Sequence, residues 1–365
     1  MWRSEGSPPR VPLLRALPRR ARPDRRHRVA PRPVRIVLDA MGTDHAPSAE
    51  VEGAIGALQE LGPELEVVLV GDEAVIAAEL ARHPDAPADR LHVRHAPERV
   101  SAADAPASVL RRKPESSIVV GLRMVQAGEA QAFVSAGSTG AVMATSLFTL
   151  RPLPGLDRPA VGTVVPTASG SCLMLDAGAN VDCKPHHLRQ FAHLGHIYAQ
   201  DLMGVPRPRI GLLNIGEEPE KGDEVTVETH RLLAGDDRLN FVGNVEGRDI
   251  ILGACDVLVC DGFVGNVLLK FYESVAQFII GLLKKELRNS GESLDLDEVF
   301  RVLDYAETGG APLLGVGGIS IICHGESSPR AIRNAIRVAA RAASSDMVTH
   351  IARELGVSGR AMEAP

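Results

Sequence analysis

VRIVLDAMGTDHAPSAEVEGAIGAL, residues 34–58, decides the fold. VRIVL (34–38) is a continuous apolar run, which suits a strand buried on both faces. AEVEGAIGAL (49–58) repeats apolar residues at helical spacing. Between them LDAMGTDHAP (38–47) places a glycine, Gly42, among Asp39, Asp44 and His45. A strand, a polar turn and a helix form the opening half of a βαβ unit.

The same alternation continues outward. EVVLV (66–70), LHVRH (91–95), AFVS (132–135), VGTVV (161–165), CLMLD (172–176), RIGLLN (209–214), LNFVG (239–243), DVLVC (256–260) and ISIIC (319–323) read as further strands. Helical patterns fall near 49–60, 116–128, 139–150, 185–202, 223–234, 264–288 and 329–355. This predicts an α/β fold, a mostly parallel sheet with helices on both faces. No tandem repeat or linker interrupts 34–355, so a single catalytic domain of one or two lobes is expected, with a flexible tail at 356–365.

Strand after strand leaves through a similar turn: LDAMGTDHAP, LVGDEA, VSAGSTGA, LDAGANVDCKP, LNIGEEPEKGDE, VGNVEGRD, VCDGFVGN and ICHGESSP. Each sets glycine beside Asp, Asn, Ser, Thr or His. In a parallel sheet such exits share the carboxyl edge, where ligands bind. Polar groups gathered there predict an enzyme rather than a scaffold.

Composition narrows the class. The 365 residues are 45% hydrophobic and 24% charged, as in globular proteins, with only 3% aromatic, so the core must be aliphatic. Residues 1–35 hold eleven Arg and two acids, which leaves residues 36–365 clearly acidic beneath a net charge of −6. The Pro- and Arg-rich leader, 1–33, lacks periodicity and apolar content, and disorder is expected of it. A start codon assigned too far upstream would produce the same pattern. No nucleic-acid partner is expected of the acidic remainder. No run of eighteen apolar residues occurs, so no transmembrane helix is expected. Cys172, Cys183, Cys255, Cys260 and Cys323 form no C-x-x-C motif and are expected to be reduced core thiols of a cytoplasmic protein.

SAGSTGA (135–141) leads directly into a helix. Gly137, Ser138, Thr139 and Gly140 offer backbone amides and hydroxyls to a small anion. Neither G-x-x-x-x-G-K-[ST] nor a G-x-G-x-x-G after the first strand is present, which argues against nucleotides and leaves phosphate. LDAGANVDCKPHHL (175–188) supplies Asp176, Asn180 and Lys184, and RPLPGLDRPA (151–160) supplies Arg158. NIGEEPEKGDE (214–224) adds Asn214, Gly216 and Lys221, and DGFVGN (261–266) adds Asp261, Gly262 and Asn266. His186, His187, His193 and His196 lie near Cys183 without a convincingly spaced third ligand, so no metal is expected, and no cofactor.

Taken together, LDAMGTDHAP, SAGSTGA, PGLDRPA, LDAGANVDCKP, NIGEEPEKGDE, FVGNVEGRDI, CDGFVGN, GGAPLLG (309–315) and ICHGESS resemble the acyl-[acyl-carrier-protein]:phosphate acyltransferases of bacterial phospholipid synthesis. The resemblance spans about residues 34–345 in order. It implies that inorganic phosphate attacks the thioester of a long-chain acyl carrier protein, giving acyl-phosphate for glycerol-3-phosphate acylation. It also implies an isocitrate/isopropylmalate-dehydrogenase-like fold, a homodimer, and loose attachment to the inner membrane surface or to the acyltransferase acting next. The chain departs from the pattern at Thr43, where a second glycine is usual, at Ser138 (usually Asn) and at His186 (commonly Glu). The segment after Arg288 is short for the family, and the basic leader has no counterpart in it.

The residues accommodate that chemistry. The SAGSTGA amides with Lys184 and Arg158 can hold phosphate, and Asp44 or His45 can take its proton. Asn180, Asn214 or Asn266 can donate to the oxyanion, Asp176 can orient Lys184, one of Asp39 and Asp44 can accept the proton while the other orients His45 or Lys184, and Asp261 is a further catalytic candidate. No nucleophile elbow exists, which favours direct attack by phosphate. Arg330, Arg333, Arg337 and Arg341 fall on one helical face, a docking stripe expected to meet an acidic carrier protein. VLLKFYESVAQFIIGLLKKELR (267–288) reads as a core or subunit-interface helix, or as a peripheral membrane contact. Two other activities share the expected features: a phosphotransacetylase acting on acyl-CoA, and an isopropylmalate-type NAD-dependent dehydrogenase.

Overall fold

The computed structural model of the chain describes residues 33–101, 103–290 and 309–356. The leader up to residue 32, the segment 291–308 that follows Arg288, and the tail from 357 lie outside the described residues. The strands are β1 (Val34–Asp39), β2 (Leu65–Gly71), β3 (Leu91–His95), β4 (Ala132–Ser135), β5 (Ala160–Thr167), β6 (Gly170–Leu175), β7 (Arg209–Leu213), β8 (Asn240–Val245), β9 (Val257–Val259), β10 (Ala311–Leu314) and β11 (Ile319–Ile322). The helices are α1 (Ser48–Glu60), α2 (Glu73–Leu80), α3 (Val109–Arg112), α4 (Ser117–Gln126), α5 (Thr139–Leu150), α6 (Pro185–Asp201), α7 (Glu224–Ala234), α8 (Gly247–Leu252), α9 (Gly262–Ser290), α10 (Pro329–Ser344) and α11 (Met347–Glu354).

All eleven strands join one sheet, in the order β3-β2-β1-β4-β11-β10-β5-β6-β9-β7-β8. Successive side chains of a strand point to opposite faces, and both faces here are covered. Ile36 and Leu38 join a core layer with α1, α6, α10 and α11, whereas Val37 joins the other layer with α4, α5 and α8. The continuous apolar runs arise from this two-sided burial. The expected α/β fold with helices on both faces is therefore present.

Strand direction differs from expectation. β11–β10, β10–β5 and β5–β6 are antiparallel, and these three pairings sit together in the middle of an otherwise parallel sheet. β1, β4 and β11 consequently run one way, and β6, β7, β8 and β9 run the other. The polar exits do not share one carboxyl edge. LDAMGTDHAP, LVGDEA, VSAGSTGA and ICHGESSP leave at a first edge, while LDAGANVDCKP, NIGEEPEKGDE, VGNVEGRD and VCDGFVGN leave at the opposite, second edge. β10 lies within GGAPLLG, where Pro312 and flanking glycines gave the appearance of a loop. The single helix expected over 329–355 is broken by Asp346, which takes a left-handed φ of 55° between α10 and α11.

The five cysteines are free and buried, in keeping with core thiols. α9 is not a core helix: Phe263, Val267, Phe271, Phe278 and Leu282 are exposed along it. Gly262–Leu283 also has the length and apolar content of a membrane span, alone in this among the described residues, although it carries the Lys270–Glu273 ion pair at 2.8 Å.

Candidate active site

At the first edge β1, β4 and β11 are neighbours, so their exit loops lie side by side. Asp39 Oδ2 accepts from Ser135 Oγ at 2.6 Å and Oδ1 from the Met41 amide at 3.1 Å; Ser135 Oγ in turn accepts from the Gly137 amide at 3.0 Å. Asp39 is 1% exposed. Burial raises its pKa, while the bonds from Ser135, Ser117 and Met41 pull it back. Its carboxylate therefore ties the β1 loop to the β4 loop and does not face solvent as a base would. A Cβ at Gly42 would stand 2.8 Å from the Gly137 nitrogen, so only glycine lets the two loops meet back to back.

Beyond Gly42, Thr43 is gripped on all its polar atoms. Its amide donates to Glu50 Oε1 at 2.7 Å and its hydroxyl to Glu50 Oε2 at 3.0 Å, both groups being wholly buried. Its carbonyl accepts from Arg99 Nη2 at 2.9 Å. Thr43 does not take a positive φ, so the residue standing where a glycine was expected adds a side-chain bond without backbone strain. Burial pushes Glu50 up to about 7 against the lowering effect of the Thr43 bonds, and nearby Asp39 adds to the rise. The Asp44 amide then bonds the Gly325 carbonyl at 2.9 Å, joining the β11 loop, and the Asp44 and His45 side chains stand exposed at the tip. Next to this tip α5 begins. Ser138 is its N-cap but makes no side-chain cap bond, Thr139 is exposed, and Gly140 leaves room for Pro106. The leading N–H groups of α5 are thus not claimed by a cap and present the positive end of a three-turn helix.

The second edge is closed differently. Asp176 Oδ1 accepts from the amides of Val161, Gly178 and Ala179 at 3.0–3.2 Å, and Oδ2 from the amide and the side chain of Asn180 at 2.7 and 2.8 Å. Burial raises the Asp176 pKa and this set of donors opposes the rise. Asn180 Nδ2 also donates to the Pro159 carbonyl at 2.8 Å, which occupies the amide that was expected to serve an oxyanion. Asp261 Oδ1 caps α9 through the amides of Phe263 and Val264 at 2.8 and 2.9 Å. Gly262 donates to the Asn180 carbonyl at 2.7 Å, and a Cβ at Gly265 would collide with the Asp176 carbonyl oxygen. Asn214 spends its side chain closing its own loop, donating to the Lys221 carbonyl at 2.9 Å and accepting from the Ile215 amide at 2.8 Å, above a buried Gly216. Lys184, Lys221 and Asn266 are exposed; Arg158 is half-buried and donates to the Asp182 carbonyl at 2.8 Å. The thiols here are not nucleophiles: burial pushes Cys183 up to about 11 and Cys260 well above the thiol range.

Asp157, His186 and His187 bring ligand atoms within 4.8 Å of one another. His187 Nδ1 accepts the Lys184 amide at 3.1 Å, however, so in the neutral ring its Nε2 carries the proton. Metal binding there would require an imidazolate, and the Asp157–His186 pair at 3.1 Å explains the cluster without one.

The sequence-predicted residues thus divide. Asp39, Gly42, Asp44, His45, Gly137, Ser138, Thr139 and Gly140 meet at the first edge. Arg158, Asp176, Asn180, Lys184, Asn214, Gly216, Lys221, Asp261, Gly262 and Asn266 gather at the second. Four strand spacings, about 19 Å, separate β4 from β6, so one phosphate cannot touch both the α5 start and Lys184 of the same chain. The Arg stripe is partly engaged within the chain: Arg337 and Arg333 pair with the exposed Glu60 at 2.6 and 3.4 Å, and the exposed Arg341 donates to the Leu202 carbonyl at 2.5 Å, with Arg330 half-buried. Glu50 and Arg99 were not anticipated. Glu50 was detectable, because it continues the apolar stripe of Ala54, Ala57 and Leu58, where an exposed acid would not sit. Arg99 gave no such signal.

Comparison with known proteins fits these features. Residues 34–350 match the family model described as fatty acid synthesis protein. The phosphate acyltransferase of Desulforamulus reducens is 49% identical over 329 residues, which covers 88% of this chain and 97% of that protein. The phosphate acyltransferase of Heliobacterium modesticaldum is 49% identical over 326 residues, covering 87% and 96%. Among solved structures, a phosphotransacetylase from Streptococcus pyogenes superposes with a TM-score of 0.59 at 16% identity, covering 86% of this chain and 94% of that one. EutD phosphotransacetylase from Staphylococcus aureus gives 0.57 at 18% identity, covering 85% and 94%. At such identities the likeness is one of fold.

Proposed function

The chain belongs to the phosphate acyltransferase family, and we propose that it transfers a long-chain acyl group from acyl carrier protein to inorganic phosphate. One observation at the site carries this reading. The uncapped start of α5 stands beside a loop tip that exposes Asp44 and His45, an anion cradle next to proton acceptors. In this reading the α5 amides with Ser138 and Thr139 hold phosphate. His45 or Asp44 takes the proton of the monoanion as a phosphate oxygen attacks the thioester carbonyl. A C–O bond forms, the tetrahedral oxyanion collapses, the C–S bond breaks, and the carrier thiolate leaves and is protonated. The products, acyl-phosphate and free carrier protein, suit a following acylation of glycerol-3-phosphate.

The enzyme in this reading is a cytoplasmic homodimer that touches the inner membrane surface, or the next acyltransferase, peripherally. The exposed apolar side of α9 supports either contact, and liposome flotation of the purified protein separates them. The decisive measurement is thiol release from palmitoyl-[acyl-carrier-protein] with and without phosphate. Release that does not depend on phosphate overturns the proposal. The phosphotransacetylase-like fold supports a second reading, with acyl-CoA as donor, and the same assay run with palmitoyl-CoA ranks the two.

A further inference from the structure

Thr43 is held from inside and outside at once. Its amide and hydroxyl both end on Glu50, in the first turn of α1, and its carbonyl ends on Arg99, in the segment after β3. Arg99 is itself steadied by Lys113 Nζ, which donates to the Arg99 carbonyl at 2.8 Å and pairs with Asp104 at 2.7 Å. Asp39 lies near Glu50 on the β1 side, and Cys323 faces it from β11. The next two residues along the chain are Asp44 and His45, whose side chains stand at the loop tip.

A carboxylate that is fully buried yet receives two bonds from one residue does not contribute chiefly to packing, since an aliphatic side chain would fill that volume without desolvating a charge. It fixes the position of what it holds. We propose that Glu50 is a positioning residue for acyl transfer: by binding both donors of Thr43 it sets where Asp44 and His45 stand relative to the α5 start. This rests on the reading of the first edge as the phosphate site.

The two bonds, rather than the negative charge, are what the role requires. In Glu50→Gln the side-chain oxygen still accepts the Thr43 amide, and the amide nitrogen can donate to the Thr43 hydroxyl, which turns to accept. Glu50→Ala removes both bonds of the clamp and Thr43→Val removes the hydroxyl bond while keeping the amide one, whereas Thr43→Ser keeps both. The test is phosphate-dependent thiol release from palmitoyl-[acyl-carrier-protein], with kcat and KM separated. Glu50→Ala and Thr43→Val should lower kcat by about tenfold or more, the cost of a displaced proton acceptor, with the donor KM within about threefold. Glu50→Gln and Thr43→Ser should stay within about threefold of wild type, and the double variant Thr43→Val/Glu50→Ala should be no worse than the poorer single, as expected of two halves of one contact. Wild-type kcat in Thr43→Val, or a loss in Glu50→Gln as deep as in Glu50→Ala, overturns the clamp. If Glu50→Ala does not fold, the Thr43→Val and Glu50→Gln results still decide. Absence of phosphate-dependent release in the wild type indicts the functional reading instead, so the two failures are distinguishable.

Discussion

The two edges of the sheet begin from nearly the same words. LDAMG (38–42) leaves β1 and LDAGA (175–179) leaves β6, each with a buried aspartate just past the last strand leucine. Their outcomes differ in how many donors remain uncommitted. Asp176 gathers four amides and the Asn180 side chain, and the helix that follows β9 is capped by Asp261. Asp39 takes one amide and two serine hydroxyls, and the helix that follows β4 has no side-chain cap. The second edge has therefore committed Asp176, Asn180 and Asp261 to architecture, with Lys184, Lys221 and Asn266 left exposed around them, whereas the first sets the uncapped start of α5 beside the exposed Asp44 and His45. A shared motif does not make a site; unsatisfied donors at its end do.

That contrast can be broken by experiment. Asp176→Ala strands five donors, and we expect a loss of about 4 kcal/mol or more in urea unfolding, with Asp39→Ala losing roughly half as much. Equal losses would remove the architectural distinction. His45→Ala should lower kcat/KM for phosphate by about a hundredfold with its unfolding midpoint unchanged, whereas Lys184→Ala, at the second edge, should stay within about threefold. A Lys184→Ala enzyme as poor as His45→Ala would move the chemistry to the other edge. Glu50 sharpens the comparison through pH. Its folded pKa is raised from 4.5 to about 7, so the folded state holds the proton more tightly and stability falls as pH rises between those values. Glu50→Gln should match wild type near pH 4.5 and exceed it by about 3 kcal/mol at pH 8, read as a divergence of denaturation midpoints. The smallest effect is expected on α10: Arg333→Ala with Arg337→Ala should cost about 0.5–1 kcal/mol through Glu60, and leave the salt dependence of the donor KM unchanged.

Most elements of this fold are legible in the sequence because burial on both faces leaves its mark as unbroken aliphatic runs, as in VRIVL and EVVLV. Strand direction was harder to read, although one clue was present. Only residues 166–171 separate VGTVV from CLML, and a parallel crossover needs about a dozen residues or more, so β5 and β6 had to be antiparallel. β10 gave less warning, since Pro312 and the glycines around it carry the composition of a turn. Those two features reverse half the sheet and move LDAGANVDCKP away from SAGSTGA. The polar stripe of α10 was correctly periodic, yet its arginines pair with Glu60, 273 and 277 positions away in sequence.

The class of fold, the family, the free thiols and the list of polar loops all follow from local periodicity, composition or short motifs, and so can be read along the chain. Tertiary structure decided which loops share an edge, which aspartates are buried supports rather than bases, and that Thr43 is clamped by Glu50 and Arg99. Those outcomes depend on strand direction and on donors and acceptors brought together from distant positions. Hydrogen-bond satisfaction is settled in space, and a carboxylate looks the same in sequence whether its oxygens are filled or open.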